Sequence, residues 1–181
     1  GVDYSLVQQA YVGYVYGDST SGQKALYPLG MTGIPIFNVN NNCSTGSTAL
    51  FLARQAIESG AAECVLALGF EQMNPGALGT VFNDRPSPFE DFDREAEALV
   101  GMPDLPLALR YFGGAGLSHM KKYGTTKEQL AKVAVKNRRH AVANERSQFR
   151  QASSLEEILA APMIFEPLTK FQCCPTSDGS A

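Results

Sequence analysis

Residues 34–70 read IPIFNVNNNCSTGSTALFLARQAIESGAAECVLALGF, and the changes of pattern inside this stretch decide the fold. Residues 34–39 (IPIFNV) predict a strand, with Pro35 near its start, where a missing N–H donor is tolerated. Residues 44–59 predict a helix, and Gly60 stands where a glycine closes a helix C-terminus. Residues 63–70 (ECVLALGF) then form a continuous apolar run, the kind buried on both faces of a parallel sheet. Upstream, residues 9–16 (QAYVGYVY) predict another strand that ends at the turn residues Gly17 and Asp18. Residues 21–29 predict a short helix weakened by Pro28. Strands alternating with helices imply right-handed βαβ units and an α/β layer fold.

The chain has 181 residues, 44% hydrophobic and 18% charged, with a formal net charge of −3. That length suits one compact domain, or one with a long excursion, burying roughly 70% of its unfolded surface. The ordinary apolar fraction and small net charge exclude disorder as the main state. The longest apolar run, residues 64–70, is far short of the roughly 20 residues a membrane-spanning helix needs. Acids outnumber bases 18 to 15, which argues against a polybasic nucleic-acid binder. Of the four cysteines, Cys43 and Cys64 stand alone and Cys173 adjoins Cys174, so no CxxC pair exists and no metal site is expected. Free thiols in a chain of this length fit a reducing compartment. The chain opens on Gly1 with no basic and apolar leader before its first strand-like run, so no export signal is expected in these residues.

From residue 72 to 107 the periodicity gives way to Pro75, Pro86, Pro88, Pro103 and Pro106 with an acidic bias, and this stretch is expected to be loop. Residues 113–123 and 127–142 predict two helices separated by Gly124, and residues 154–160 a third, shorter one. Residues 168–174 are expected to return the chain to the sheet. There is no internal repeat and no low-complexity tract.

The chemistry concentrates in residues 38–50, NVNNNCSTGSTAL, a polar strand-to-helix junction with Cys43 at the start of the helix. The thiolate is the reactive form of cysteine, and unpaired amides at the positive end of a helix dipole favour the anion. A nucleophile on such a junction is also exposed for attack, with backbone N–H groups beside it to receive an oxyanion. Residues 44–49 are all small, so the first turns of the helix can pack very closely. Leu50, Phe51 and Leu52 follow in series, which points to a central helix buried on several sides. A lone cysteine is more often a small buried hydrophobe than a nucleophile. The polar neighbours and the helix start favour the nucleophile for Cys43, whereas Cys64, inside an apolar run, reads as core. The adjacency of Cys173 and Cys174 does not by itself argue for redox work.

Residues 38–50, followed by residues 63–73 (ECVLALGFEQM), resemble the thiolase superfamily around its nucleophilic cysteine. Residues 13–20 (GYVYGDST), 31–35 (MTGIP), 119–124 (HMKKYG) and 173–181 (CCPTSDGSA) narrow the resemblance to the sterol carrier protein-type thiolases. It spans nearly the whole chain but only about the first half of a thiolase. The resemblance implies an α/β fold, a layered α/β/α/β/α core of two similar halves with an inserted, mainly helical loop domain. Residues 1–71 would be the N-terminal core without its first strand and helix. Residues 72–167 would be the loop domain and residues 168–181 the return to the core, with the C-terminal half absent.

The resemblance also implies that Cys43 is acylated by a 3-oxoacyl-CoA. Acetyl-CoA, or propionyl-CoA from 2-methyl-branched substrates, leaves, and free CoA collects the acyl group. The Cys43 amide would form part of the oxyanion hole. CoA is then a substrate, no cofactor is tightly bound, and the partner is a second copy in a homodimer formed through the edge strand around residues 36–40. The compartment would be the cytoplasm of a bacterium or the peroxisome of a eukaryote. The family's GHP and HDCF motifs, which hold the basic histidine and a second cysteine, do not occur in these residues, and His119 and His140 read as structural or solvent-facing.

Nine of the fifteen Lys and Arg fall within residues 121–150, against only Glu128 and Glu145. Lys132, Lys136 and Arg139 follow helical spacing and share one face, which suits the pyrophosphate and 3′-phosphate of CoA; on spacing alone a solvated face is an equal reading. No aromatic residues interleave for base stacking, so nucleic acid is the poorer partner. Phe112, where the family's pocket-lining loop-domain helix begins, is a candidate wall of the acyl pocket, the alternative being core packing. Three activities fit these residues: a thiolase of fatty-acid or sterol side-chain degradation, a retro-aldol lyase acting with a partner protein, and a non-catalytic lipid-binding half-subunit. An intact Cys43 in NNNCSTG argues against the lyase.

Overall fold

A computed structural model describes residues 1–75, 77, 79, 82–101 and 105–181. Along the chain run β1 (Gln9–Gly13), α1 (Ser21–Leu26), β2 (Ile36–Val39), α2 (Thr45–Glu58) and β3 (Val65–Glu71). Helices α3 (Glu90–Val100), α4 (Leu107–Tyr123), α5 (Lys127–Val142) and α6 (Leu155–Ala160) follow. Strands β4 (Met163–Phe165), β5 (Leu168–Thr169) and β6 (Gly179–Ser180) complete the order. The chain forms two compact units, Gly1–Ala77 with Thr176–Ala181, and Leu78–Pro175.

The first unit is built on a mixed four-stranded sheet of order β2-β1-β3-β6, in which β1 is parallel to both β2 and β3, and β6 runs antiparallel to β3. Strand alternation sends Ala10, Val12 and the adjoining Tyr14 to one face, where they bury with Leu26 of α1 and pack on Ile36, Leu66 and Leu68. Tyr11 and Gly13 point to the other face, on which α2 lies through its buried Thr45, Ala49, Ala53 and Ala56. Those residues recur at helical spacing and are small, so the helix axis comes close to the sheet. Gly13 permits the closest approach: a Cβ there would stand 2.7 Å from Thr45 Cγ2 and 3.2 Å from the Thr45 carbonyl oxygen.

Helix α2 buries one face only. Leu50 and Phe51 are 64% and 57% exposed and Ile57 is 44% exposed, so the burial on several sides expected of this helix is not met within this chain. The apolar residues that follow one another in sequence lie 100° apart, and only one sheet covers them.

The second unit is mainly helical. Glu90–Val100 forms helix α3 inside the stretch expected to be loop, because this run is free of proline and places Glu90, Asp91 and Asp93 in its first turn, where the helix dipole favours acids. Phe92 meets the Tyr111 ring edge-on, and the Tyr111 hydroxyl donates to Asp93. Helix α4 begins at Leu107, six residues before the predicted start, and carries Gly113 through its middle. A Cβ on Gly113 would stand 2.0 Å from the Phe165 ring, so this glycine lets β4 seat against α4. Capping boxes at Thr126 with Gln129 and at Ser154 with Glu157 start α5 and α6, which pack through Ala131, Ala134 and Ile158.

The chain returns to the sheet later than residues 168–174. Leu168–Thr169 instead pairs antiparallel with Met163–Phe165 in the second unit. The buried Thr169 hydroxyl donates to the Ile158 carbonyl at 2.8 Å and its N–H to Gln172 Oε1 at 2.9 Å, which ties this segment to α6. The sheet is rejoined at Gly179–Ser180, with Gly69 and Ala181 exchanging N–H···O bonds of 2.8 and 2.9 Å.

Two expectations follow from this packing. Gly13→Ala should lower stability by about 1–3 kcal/mol, the usual cost of overpacking, read as a lower urea midpoint; an unchanged midpoint would show that the start of α2 can shift freely. Burial, together with the Asp93 hydrogen bond and charge, pushes the Tyr111 phenol up to about 12 from an ordinary 10. The native state therefore holds this proton more tightly than the unfolded chain, so its stabilisation is complete below pH 10 and is lost as pH rises towards 12. Urea unfolding between pH 9 and 12 should show that loss, and Tyr111→Phe should flatten it.

Candidate active site around Cys43

Parallel pairing brings three strand ends to one edge. Gly13 lies in register with Val39 on one side and with Gly69 on the other, so the segments that follow β1, β2 and β3 all emerge at the carboxyl edge of the sheet. In open α/β sheets that edge is where ligands bind. Cys43 sits there, an exposed free thiol in the junction between Val39 and the first residue of α2.

The junction is a bonded elbow. Asn42 takes a φ of +48°, in the left-handed region that Asn tolerates better than most residues. Ser44 N–H donates to the Asn41 carbonyl and Thr45 N–H to the Asn42 carbonyl, each at 3.1 Å. The Ser44 hydroxyl also donates to the Asn41 carbonyl, at 2.8 Å. Thr45 Oγ1 donates to the Asn42 carbonyl at 2.6 Å and accepts from Asn41 N–H at 2.8 Å. Asn41 Nδ2 donates to Thr48 Oγ1 at 3.0 Å, and the Thr48 hydroxyl donates to the Ser44 carbonyl at 2.9 Å. Ser44, at the cap position of α2, makes no side-chain bond to the helix amides, and no acid stands in the first turn. An exposed thiol on such an elbow can attack a thioester-linked carbonyl, with main-chain amides beside it for the developing oxyanion.

A carboxylate organises the neighbouring segment. Glu71, at the end of β3, accepts from Val15 N–H at 2.9 Å, Tyr16 N–H at 3.2 Å and Gln72 N–H at 3.3 Å. Asp178 accepts from Met73 N–H at 2.7 Å. Burial first, then the nearby Glu71 and Cys43, push the Tyr16 phenol above its ordinary value.

The other sequence-predicted residues lie in the second unit. Lys132, Lys136 and Arg139 are all exposed on α5, while Phe112 is on α4 and 68% exposed. Arg138, between the first two and Arg139 in sequence, places its guanidinium 5.0 Å from the rings of both Phe149 and Phe171. His119 shares a 2.9 Å hydrogen bond with the Thr125 hydroxyl and packs on Tyr123, and His140 is exposed in the last turn of α5. Burial, then the neighbouring Cys174, pushes the Cys173 thiol up. A separate groove, lined by Gln9, Tyr11, Phe37, Leu52, Gln55 and Ala61, opens near the start of β1 and the end of α2, away from Cys43 along that helix. Among the described residues no group of three His, Cys, Asp or Glu could hold a metal ion, and no helix is long and apolar enough to cross a membrane.

Reading the sequence residue by residue missed Asn41, Thr45 and Glu71 as parts of the site. The signal for Glu71 is an acid closing a buried apolar strand. Thr45 and Asn41 stood within a polar run whose individual bonds only the folded elbow reveals.

The chain belongs to the thiolase family: the model of the thiolase N-terminal domain matches residues 1–181. Among curated relatives it is similar to sterol carrier protein 2 of Homo sapiens, with 56% identity over 99% of this chain and 33% of that protein. It is also similar to the benzoylsuccinyl-CoA thiolase subunit BbsB of Thauera aromatica, with 35% identity over 97% of this chain and 43% of that one. The chain thus spans about a third of the sterol carrier proteins it matches. Among solved structures, the Ltp2–ChsH2(DUF35) aldolase shares the fold with a TM-score of 0.69 at 23% identity, over 95% of this chain and 43% of that one. The mixed α/β architecture is that of a thiolase N-terminal half.

Proposed function

We propose that the chain supplies the nucleophilic half of an acyl-CoA C-acyltransferase that cleaves 3-oxoacyl-CoA in fatty-acid or sterol side-chain degradation. The observation that carries this reading is the free, exposed Cys43 on the elbow between β2 and α2 in a chain of the thiolase family. Cys43 Sγ attacks the 3-oxo carbonyl, the C2–C3 bond breaks, and the released electron pair leaves on the thioester enolate, which is protonated to acetyl-CoA. The acyl group stays on Sγ until the thiolate of free CoA attacks it, forming the shortened acyl-CoA and releasing Cys43. The covalent intermediate divides one difficult C–C cleavage into two easier steps.

The proton-handling histidine and second cysteine of the family lie outside these residues, so full turnover belongs to the protein at its natural length. CoA enters as a substrate rather than a resident cofactor. The exposed cations Lys132, Lys136 and Arg139 on α5 are proposed to meet its phosphates, and Phe112 to line the acyl path. Strand β2, which stands at the edge of the sheet among the described residues and carries a 46% exposed Phe37, is the proposed edge for homodimer formation. The compartment that goes with this reading is the peroxisome in a eukaryote and the cytoplasm in a bacterium.

The chain and the protein at its full natural length are to be incubated with acetyl-CoA or acetoacetyl-CoA and weighed intact. One acyl adduct mapping to Cys43 is expected. Cys43→Ala should form none and should abolish acyl transfer, while circular dichroism shows the fold retained. No adduct on either wild-type form would move the assignment to a lyase or a lipid-binding role. Replacing Lys132, Lys136 and Arg139 together by Glu should weaken CoA binding, with the wild-type affinity falling as salt rises; an unchanged affinity returns these cations to a solvated face.

A further inference from the structure

The hydrogen bonds around Cys43 are local, most of them within about one turn, as from Ser44 to Asn41 and from Thr45 to Asn42. Thr45 stands apart from the other residues of the elbow in three respects. The residue is 5% exposed, one of two buried polar residues, with Thr169, among the described residues. Its single hydroxyl bonds both residues that precede Cys43, accepting from Asn41 N–H at 2.8 Å and donating to the Asn42 carbonyl at 2.6 Å. Its methyl group lies against another element, at the place where a Cβ on Gly13 would fall 2.7 Å away.

We propose that Thr45 is a positioning residue for Cys43, its hydroxyl holding the left-handed Asn42 turn that presents the thiol. The proposal rests on the reading of Cys43 as the nucleophile and names a determinant of that same site. The geometry explains why a hydroxyl stands at a buried position where an apolar side chain would be the ordinary occupant. Without the hydroxyl, Asn41 N–H loses its acceptor and the Asn42 carbonyl keeps only the longer bond from Thr45 N–H, at 3.1 Å. Asn tolerates a left-handed φ better than most residues, yet it remains the less populated conformation, and a bond from a neighbour holds it in place. The Asn41 carbonyl keeps its bonds from the Ser44 N–H and hydroxyl, and Asn41 Nδ2 its bond to Thr48, but the N–H side of residue 41, through which the turn joins β2, loses its tether. Cys43 would then sample several orientations relative to the amides beside it, and a nucleophile displaced by about 1 Å loses on the order of 10²-fold in rate.

The two halves of the Thr45 side chain make the proposal separable from plain packing. Thr45→Val keeps the shape and removes the hydroxyl, whereas Thr45→Ser keeps the hydroxyl and removes the methyl. In the protein at its natural length, positioning through the hydroxyl predicts that Thr45→Val lowers kcat for acyl transfer at least tenfold, with KM for the thioester within twofold, and that Thr45→Ser stays within threefold of wild type in both. Packing alone predicts the reverse order, and that order overturns the proposal. If Thr45→Val does not fold, Thr45→Ser carries the test: near-wild-type acylation of Cys43 supports the proposal, and a tenfold loss with the fold retained overturns it.

A second measurement is independent of the reading of the reaction. The rate of Cys43 alkylation by iodoacetamide is followed by peptide mass, with the exposed Cys174 as the internal reference. A change of threefold or more at Cys43 in Thr45→Val, with Cys174 unchanged and Thr45→Ser like wild type, supports the positioning role. Equal Cys43 rates in all three proteins overturn it. Absence of any acyl adduct on wild-type Cys43 overturns the acyltransferase reading, and the alkylation series then decides the role of Thr45 separately.

Discussion

The seating of the first turn of α2 on β1 is the constraint on which the first unit depends. Gly13 leaves room for the Thr45 methyl and carbonyl, and the same threonine ties down the two residues before Cys43. Helix placement and thiol placement are thus one problem with one solution. The alanines at 49, 53 and 56 continue that close approach along the helix, so its axis and the sheet share a fixed spacing over three turns. A larger residue at any of these positions would lift the helix and with it the elbow at its start.

The parallel arrangement of β1, β2 and β3 does the rest of the assembly. Their register gathers the ends of three strands at one edge, which brings residues distant in the chain, Tyr16, Cys43 and Glu71, into one neighbourhood. Glu71 then holds the segment after β1 through two main-chain amides, and Asp178 anchors the segment after β3. Charged acceptors on backbone amides are stronger than neutral ones, which suits segments that have left the sheet and lost their ladder bonds. The second unit uses a different device. Gly113 in α4 gives up helix propensity of about 1 kcal/mol so that Phe165 can pack on the helix backbone.

Much of this was legible from the order of residues alone. The apolar run before Glu71, the Val- and Tyr-rich run in residues 9–16 and the stretch 44–59 closed by Gly60 specify strand, strand and helix, because composition and helix-ending residues are local signals; the first strand itself stops at Gly13. Cys43 was legible because a polar run met a helix start. The helix Glu90–Val100 was not, since prolines on both sides and a high acidic content read as loop, although the segment between them carries none. Residues 168–174 misled for another reason: a short apolar stretch suits any sheet, and which one it joins depends on the hydroxyl of Thr169 finding the Ile158 carbonyl.

The sequence by itself determined the class of fold and the family and singled out Cys43 as the candidate nucleophile, because periodicity and a specific run of residues around Cys43 are local properties. Only the tertiary structure decided which groups surround that thiol. Thr45 looks like one small residue among six until its hydroxyl is seen closing on Asn41 and Asn42, and Glu71 looks like the polar end of a strand until β1 and β3 are paired. Hydrogen bonds between segments over fifty residues apart depend on register, and register is set by the packing of the whole sheet rather than by any stretch within it.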